Sequence, residues 1–253
     1  MSGHPTPGRP ASAPSGAPAG AAAPPMKRQY VNFAFFKVDE SFRALPEAQR
    51  LAAKKGFDQA AETFRKDGIL LCYAMTGFRS DVDFMLWRIS YEADAIQNNT
   101  GALNRSALGP WLRMPSSFLA MTKRSVYIDK HSHPGQDGNR LNIYPGNNGK
   151  YLFIYPFLKT REWYLLSKEE RQEMMDEHIR VGNMYPSVRL NTTYSFGLDD
   201  QDFVVAFESD LPEDFLDLVM ALRETKASKY TLRDTPFRMG KQCTVTEALD
   251  LLG

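Results

Sequence analysis

The chain has 253 residues, 43% of them hydrophobic, with 31 lysines and arginines against 30 aspartates and glutamates. That length and apolar content can bury a sizeable core as one large or two small domains, and a net charge of +1 leaves nothing to draw the protein to nucleic acid. No stretch approaches the ~20 apolar residues that a membrane helix needs, so neither nucleic acid nor a membrane span is expected.

Residues 1–25 are Pro, Ala, Gly and Ser with almost nothing to anchor a core, and are expected to form a disordered extension. The first ordered unit, residues 26–130, opens with "QYVNFAFFKVD", a strand by its aromatic and β-branched content. A helix follows over "PEAQRLAAKKGFDQAAETFRKDG", with Pro46 near its start and Gly68 past its end. "ILLCYAMTGF" and "DFMLWRIS" are strands joined by a polar turn. "EADAIQNNTGALNRSALGPWLR" is helical but broken by Gly and Pro, and "SSFLAMTKRSVYI" is the closing strand. The order is βαββαβ. Residues 131–150, rich in Pro, Gly and Asn, form a linker whose length suggests a role of its own.

Residues 151–253 repeat that order. "KYLFIYPFLK" is a strand, "SKEERQEMMDEHIRVGNMY" a helix, "VRLNTTYSFG" and "DFVVAFES" a strand pair, "PEDFLDLVMALRET" a helix and "YTLRDTPFRM" a last strand. Each βαββαβ unit is the ferredoxin-like pattern, an antiparallel sheet with helices on one face and the other face open. Two such sheets can cover each other, so the fold class expected is α+β, two ferredoxin-like halves forming a barrel-like pair with helices outside. Cys72 and Cys243 lie far apart in sequence, in no metal-ligand spacing, which suits free buried thiols in a reducing, cytoplasmic compartment.

Three residues of the second half stand out. Ser167 and Glu170 make a capping box, which starts a helix there. Met174, His178, Val181 and Tyr185 then fall on one stripe, so His178 points inward while charged residues take the rest of the surface. Tyr155 and Lys159 are four apart on the preceding strand, which puts both on one face with Phe157 between them. Taken singly, each has a plain structural explanation: a hydrogen-bonded core histidine, a core tyrosine, and a lysine reaching solvent from a strand end.

Together, "YPFLK", Trp163, "EER" and His178 resemble the signature of the chlorite dismutase superfamily, and "GLDDQDFVVAFES" resembles the segment after its haem-pocket strand. The resemblance covers roughly residues 140–235, and the first half matches only in its element order. It implies a subunit of two ferredoxin-like halves, a ring of five subunits, and haem bound through one proximal histidine, here His178 as the metal ligand. Arg140 stands where one branch has a propionate-binding arginine, and Trp163 belongs to the cofactor pocket. Chlorite-splitting members carry a distal arginine on the strand after the ligating helix. Counting from His178 gives Asn191 there, with Arg189 on the same strand face by alternation. A tyrosine with a lysine four residues later is instead the arrangement of the coproheme decarboxylases, although "KTREW" is shorter than their usual insertion.

The resemblance therefore implies an iron porphyrin that is both substrate and redox centre. Coproheme would lose two propionate carboxyls to hydrogen peroxide chemistry, giving haem b with two vinyl groups. Each decarboxylation removes a hydrogen atom from the propionate β-carbon, then carbon dioxide and an electron, and a tyrosine radical at Tyr155 can take that hydrogen. Lys159 would bind the carboxylate as a point charge and assist proton movement. Arg140 would hold another propionate in its planar fork, and His178 would be the neutral axial ligand. Two other classes fit the same residues: a haem protein with peroxidase, chlorite-degrading or sensing activity, and a haem-free binding protein on the same fold.

Overall fold

The first strand of each half is nine residues long, begins with a tyrosine opposite a serine and ends its pairing with a phenylalanine opposite a phenylalanine. In the first half this is β1 (Tyr30–Val38), where Tyr30 faces Ser90 and Phe36 faces Phe84. In the second it is β5 (Tyr151–Lys159), where Tyr151 faces Ser209 and Phe157 faces Phe203. This register makes Ala34 the counterpart of Tyr155 and Val38 the counterpart of Lys159. The computed structural model describes residues 27–127, 141 and 149–253. The extension over residues 1–25, most of the linker, and Arg140 lie outside the described residues.

The first half continues with helix α1 (Glu47–Glu62), strands β2 (Gly68–Ala74) and β3 (Phe84–Ser90), helix α2 (Ala93–Arg105) and strand β4 (Leu112–Met121). The second has helices α3 (Arg161–Leu165) and α4 (Lys168–Gly182), strands β6 (Arg189–Tyr194) and β7 (Phe203–Ser209), helix α5 (Pro212–Arg223), strands β8 (Thr231–Arg233) and β9 (Arg238–Cys243), and helix α6 (Val245–Asp250). Each half has the ferredoxin-like strand order, β4-β1-β3-β2 and β9-β5-β7-β6.

The two sheets do more than cover each other. They pair edge to edge, β4 with β6 and β2 with β9, and close into one barrel with β8 added at the end of β5. Closure removes the unpaired edges that two open sheets would leave. Val31, Phe33, Phe35, Trp87, Ile89, Leu152, Ile154, Val204 and Ala206 fill its interior from both halves. On the outer face of the first half, Ala34, Phe36, Phe57, Phe64 and Leu86 form a second core beneath α1 and α2. Full burial of a side chain such as Phe57 contributes about 2–3 kcal/mol.

Several elements differ from expectation, among them the short helix α3, which precedes the expected one. β4 starts at Leu112, ahead of Pro115, because Met114 and Pro115 bulge opposite Phe36, where Pro needs no ladder N–H. It also ends at Met121, short of the expected Ile128. The expected last strand is split into β8 and β9 around Asp234–Phe237, where Pro236 offers no N–H. Helix α6 was not expected; Thr244 and Glu247 complete a capping box at its start. It places Val245, Ala248 and Leu249 in the core of the first half, so the chain's end serves the other half.

The turns after β2 and β6 repeat each other. Gly77 and Gly197 both have positive φ, 84° and 72°, a conformation glycine adopts without strain. In each turn an aspartate ties off the first strand of its half: Asp83, buried, accepts from Val38 N at 2.9 Å, and Asp202, half-buried, from Lys159 N at 2.9 Å.

Candidate functional site

Alternation along β5 sends Leu152 and Ile154 into the barrel and Phe153, Tyr155, Phe157 and Lys159 to the outer face. The shared face expected for Tyr155 and Lys159 is thus what the strand builds. The Tyr155 ring is wedged against Phe237 at 4.1 Å and Phe207 at 6.0 Å between centroids. Its hydroxyl makes no hydrogen bond among the described residues, and burial raises its pKa far above the ordinary 10.0, so the phenol keeps its hydrogen.

Lys159 ends the strand. Asp202 accepts both its N–H, at 2.9 Å, and the hydroxyl of Tyr164 on α3, at 2.7 Å, which holds the strand end and the short helix together. That helix sets Trp163 beneath the lysine. The ammonium sits 4.5 Å from the Trp163 ring centre and donates to the carbonyl of Ala227 at 2.6 Å. Burial lowers the Lys159 pKa to about 8. Trp163 itself is buried against Tyr230 at 5.6 Å and Tyr127 at 6.5 Å. Asp202, Tyr164 and the Ala227 carbonyl were not singled out from sequence, because a carboxylate in a polar turn has no signature until its partners are known.

Helix α4 begins at the Ser167–Glu170 capping box, complete on both sides. His178 lies on its inward stripe, and its pKa falls to about 4 through burial and, second, the charge of Lys159. The imidazole is therefore neutral near pH 7 and feels the charge of Lys159, while Lys159, Trp163 and Tyr155 lie on the outer side of the sheet.

Helix α4 is less deeply packed than its counterpart in the first half. α1 of the first half buries Ala53, Phe57 and Ala61, whereas α4 buries none of its residues. Arg171, two turns before His178, has a buried Nε without a hydrogen-bond partner. Among the described residues no three His, Cys, Asp or Glu side chains gather to hold a bare metal ion. One neutral imidazole, a phenol, two cations and an aromatic face fit a planar metallo-macrocycle that brings its own nitrogen ligands and carboxylates.

Asn191 does not join this group. It pairs with Ala206, a barrel-interior residue, is buried, and donates to Glu208 Oε2 at 3.0 Å, while Tyr73 donates to Oε1 at 3.3 Å. The residues of β6 on the Tyr155 side are Leu190, opposite Phe207, then Thr192 and Tyr194. Counting along the chain from His178 lands one residue off the face that strand pairing selects. Arg189 shares the parity of Asn191 and is exposed at the strand's start.

A protein-family model described as "Chlorite dismutase" matches residues 43–243. The chain is 34% identical over 178 residues to a coproheme decarboxylase of Mycolicibacterium smegmatis, covering 68% of this chain and 72% of the relative. It is 26% identical over 206 residues to a chlorite dismutase of Ideonella dechloratans, covering 81% and 72%. Among solved structures, chlorite dismutase from Candidatus Nitrospira defluvii in complex with imidazole superposes with a TM-score of 0.80 at 25% identity, over 88% of this chain and 94% of that one.

Proposed function

This chain belongs to the chlorite dismutase family of haem-binding enzymes, and from that premise we propose that it decarboxylates two propionates of coproheme with hydrogen peroxide, giving haem b. The observation that carries this reading is that Tyr155, Lys159 and Trp163 share one side of the sheet with His178 of α4, a helix none of whose residues is fully buried. The 34% identity to a coproheme decarboxylase supports the same branch.

His178, its imidazole neutral at physiological pH, would hold the iron. The iron porphyrin supplies one-electron oxidising power from peroxide when bound. Tyr155 carries a hydroxyl hydrogen engaged by no other described residue, so it is free to be given up and regained as the phenol passes a hydrogen atom. Lys159, whose ammonium is partly stripped of water, would grip a propionate carboxylate more strongly than an exposed lysine could. Arg140 is retained in this reading as a propionate anchor. Trp163 backs the lysine and keeps its charge directed at the site. Assembly into a ring of five and a cytoplasmic address belong to the same reading. In the described residues no helix is long and apolar enough to cross a membrane.

The chlorite-splitting alternative needs a distal arginine by the resemblance, and the β6 residues on the Tyr155 side are Leu190, Thr192 and Tyr194. Iron coproporphyrin mixed with the protein and dilute peroxide should lose two carboxyl groups in sequence, through a three-propionate species visible by mass. Unchanged coproheme under peroxide together with oxygen release from chlorite would replace this reading by the alternative. A protein that never shows a Soret band after iron-porphyrin addition would remove both.

A further inference from the structure

Barrel closure brings together two cysteines that are distant in sequence. Cys72 on β2 and Cys243 on β9 are direct partners across the seam that joins the first half to the second. Directly opposed residues of antiparallel strands have Cα atoms about 4.5–5.5 Å apart and side chains on one face. That lies inside the range of about 4.4–6.8 Å that a disulfide spans. Both are free thiols.

The two sulfurs are not equivalent. Cys72 is buried in the core beneath α1 and α6, and hydrogen bonding to Cys243 followed by burial raises its pKa. Cys243 is half-buried and is held below its ordinary value, first by the Cys72 hydrogen bond and then by the backbone at Ala74 and the charge of Lys241. A half-buried sulfur beside a buried one is the arrangement of an attacking and a resolving cysteine.

We propose that Cys72 and Cys243 form a reversible oxidation site, closed by hydrogen peroxide into an intrachain disulfide that latches the β2–β9 seam. The Cys243 thiolate attacks one peroxide oxygen, the O–O bond breaks, and the leaving hydroxide takes a proton to become water, leaving Cys243 as a sulfenic acid. Cys72 then loses its proton and attacks the Cys243 sulfur. The S–O bond breaks and the hydroxide leaves with that proton as a second water. Two thiols are oxidised by two electrons and one peroxide is reduced to two waters. The linkage closes a loop that includes most of both halves, and it fixes β9 immediately before Thr244, the cap of α6.

The test uses the full chain as purified, treated with stoichiometric peroxide, alkylated, digested without reductant and mapped by mass. The expected result is a peptide containing Cys72 joined to one containing Cys243, lighter by two hydrogens than their sum and separated by dithiothreitol. The oxidised protein should melt roughly 5 °C higher, reversibly. In Cys72→Ser, Cys243 should instead stop at sulfenic acid and go on to sulfinic acid only when a second equivalent of peroxide is added, and in Cys243→Ser, Cys72 should stay reduced. Two separately alkylated thiols after peroxide, a link between two chains, or sulfinic Cys243 in the wild type would overturn the proposal. These readouts come from sulfur alone, so they stand whether or not porphyrin is bound.

Discussion

The ammonium of Lys159 rests 4.5 Å from the centre of the Trp163 ring and is tied to the Ala227 carbonyl, so a charge is held at the edge of an aromatic core. Burial lowers its pKa from the ordinary 10.5 to about 8. Between those values the unfolded chain binds more protons than the folded one, so stability should rise as pH increases from about 8 toward 10.5. Lys159→Met should remove that slope. It should also leave the iron-free protein about 1 kcal/mol more stable at pH 7, while weakening coproheme binding and slowing its turnover. Chemical denaturation of both proteins across this pH range provides the check.

For His178 the same accounting gives an acid limb. Its pKa falls from 6.5 to about 4, first through burial and then through the Lys159 charge. The unfolded chain takes up a proton in that window while the folded chain does not. The iron-free protein should therefore lose about 2 kcal/mol as pH drops from 6.5 toward 4, an amount reduced for the partial exposure of the ring. His178→Ala should flatten this limb and abolish the high-spin ferric spectrum obtained on adding iron porphyrin. An unchanged spectrum and affinity would sink the ligation reading.

Tyr155→Phe separates packing from chemistry. The ring contacts with Phe237 and Phe207 survive the substitution, and the hydroxyl gives up no hydrogen bond among the described residues. Stability should shift by no more than about 0.5 kcal/mol, and coproheme should bind with near wild-type affinity. The rate of propionate loss should fall by ~10²-fold or more, as for removal of a positioned proton-transfer group. Equal rates in the two proteins would make Tyr155 only a core aromatic.

The barrel interior holds a buried carboxyl, Glu208, between Asn191 and Tyr73, and burial raises its pKa above the ordinary 4.5. The folded state therefore holds this proton more tightly, and the stability it contributes is lost as pH climbs from 4.5 through the raised value. Glu208→Gln should match or exceed wild type by about 1 kcal/mol at pH 7. Asn191→Ala should cost about 1–3 kcal/mol by stranding its partner, yet leave porphyrin affinity unchanged. A large loss of affinity without loss of stability would return Asn191 to the cofactor site.

What the sequence determined is what short-range physics determines. The period of apolar residues marked both βαββαβ units, the Ser167–Glu170 box started α4, and alternation put Tyr155 and Lys159 on one face, because each depends only on neighbours within a turn or a strand. Tertiary structure decided whatever depends on which strand lies beside which. Pairing of β6 with β7 turned Asn191 into the barrel and Leu190 toward Tyr155, since a one-residue offset inverts every side chain. Closure between β2 and β9 set Cys72 against Cys243, and α6 folded back into the first half's core. The lowered pKa values of Lys159 and His178 likewise exist only once α3 and α4 have covered the end of β5 and removed water from both groups.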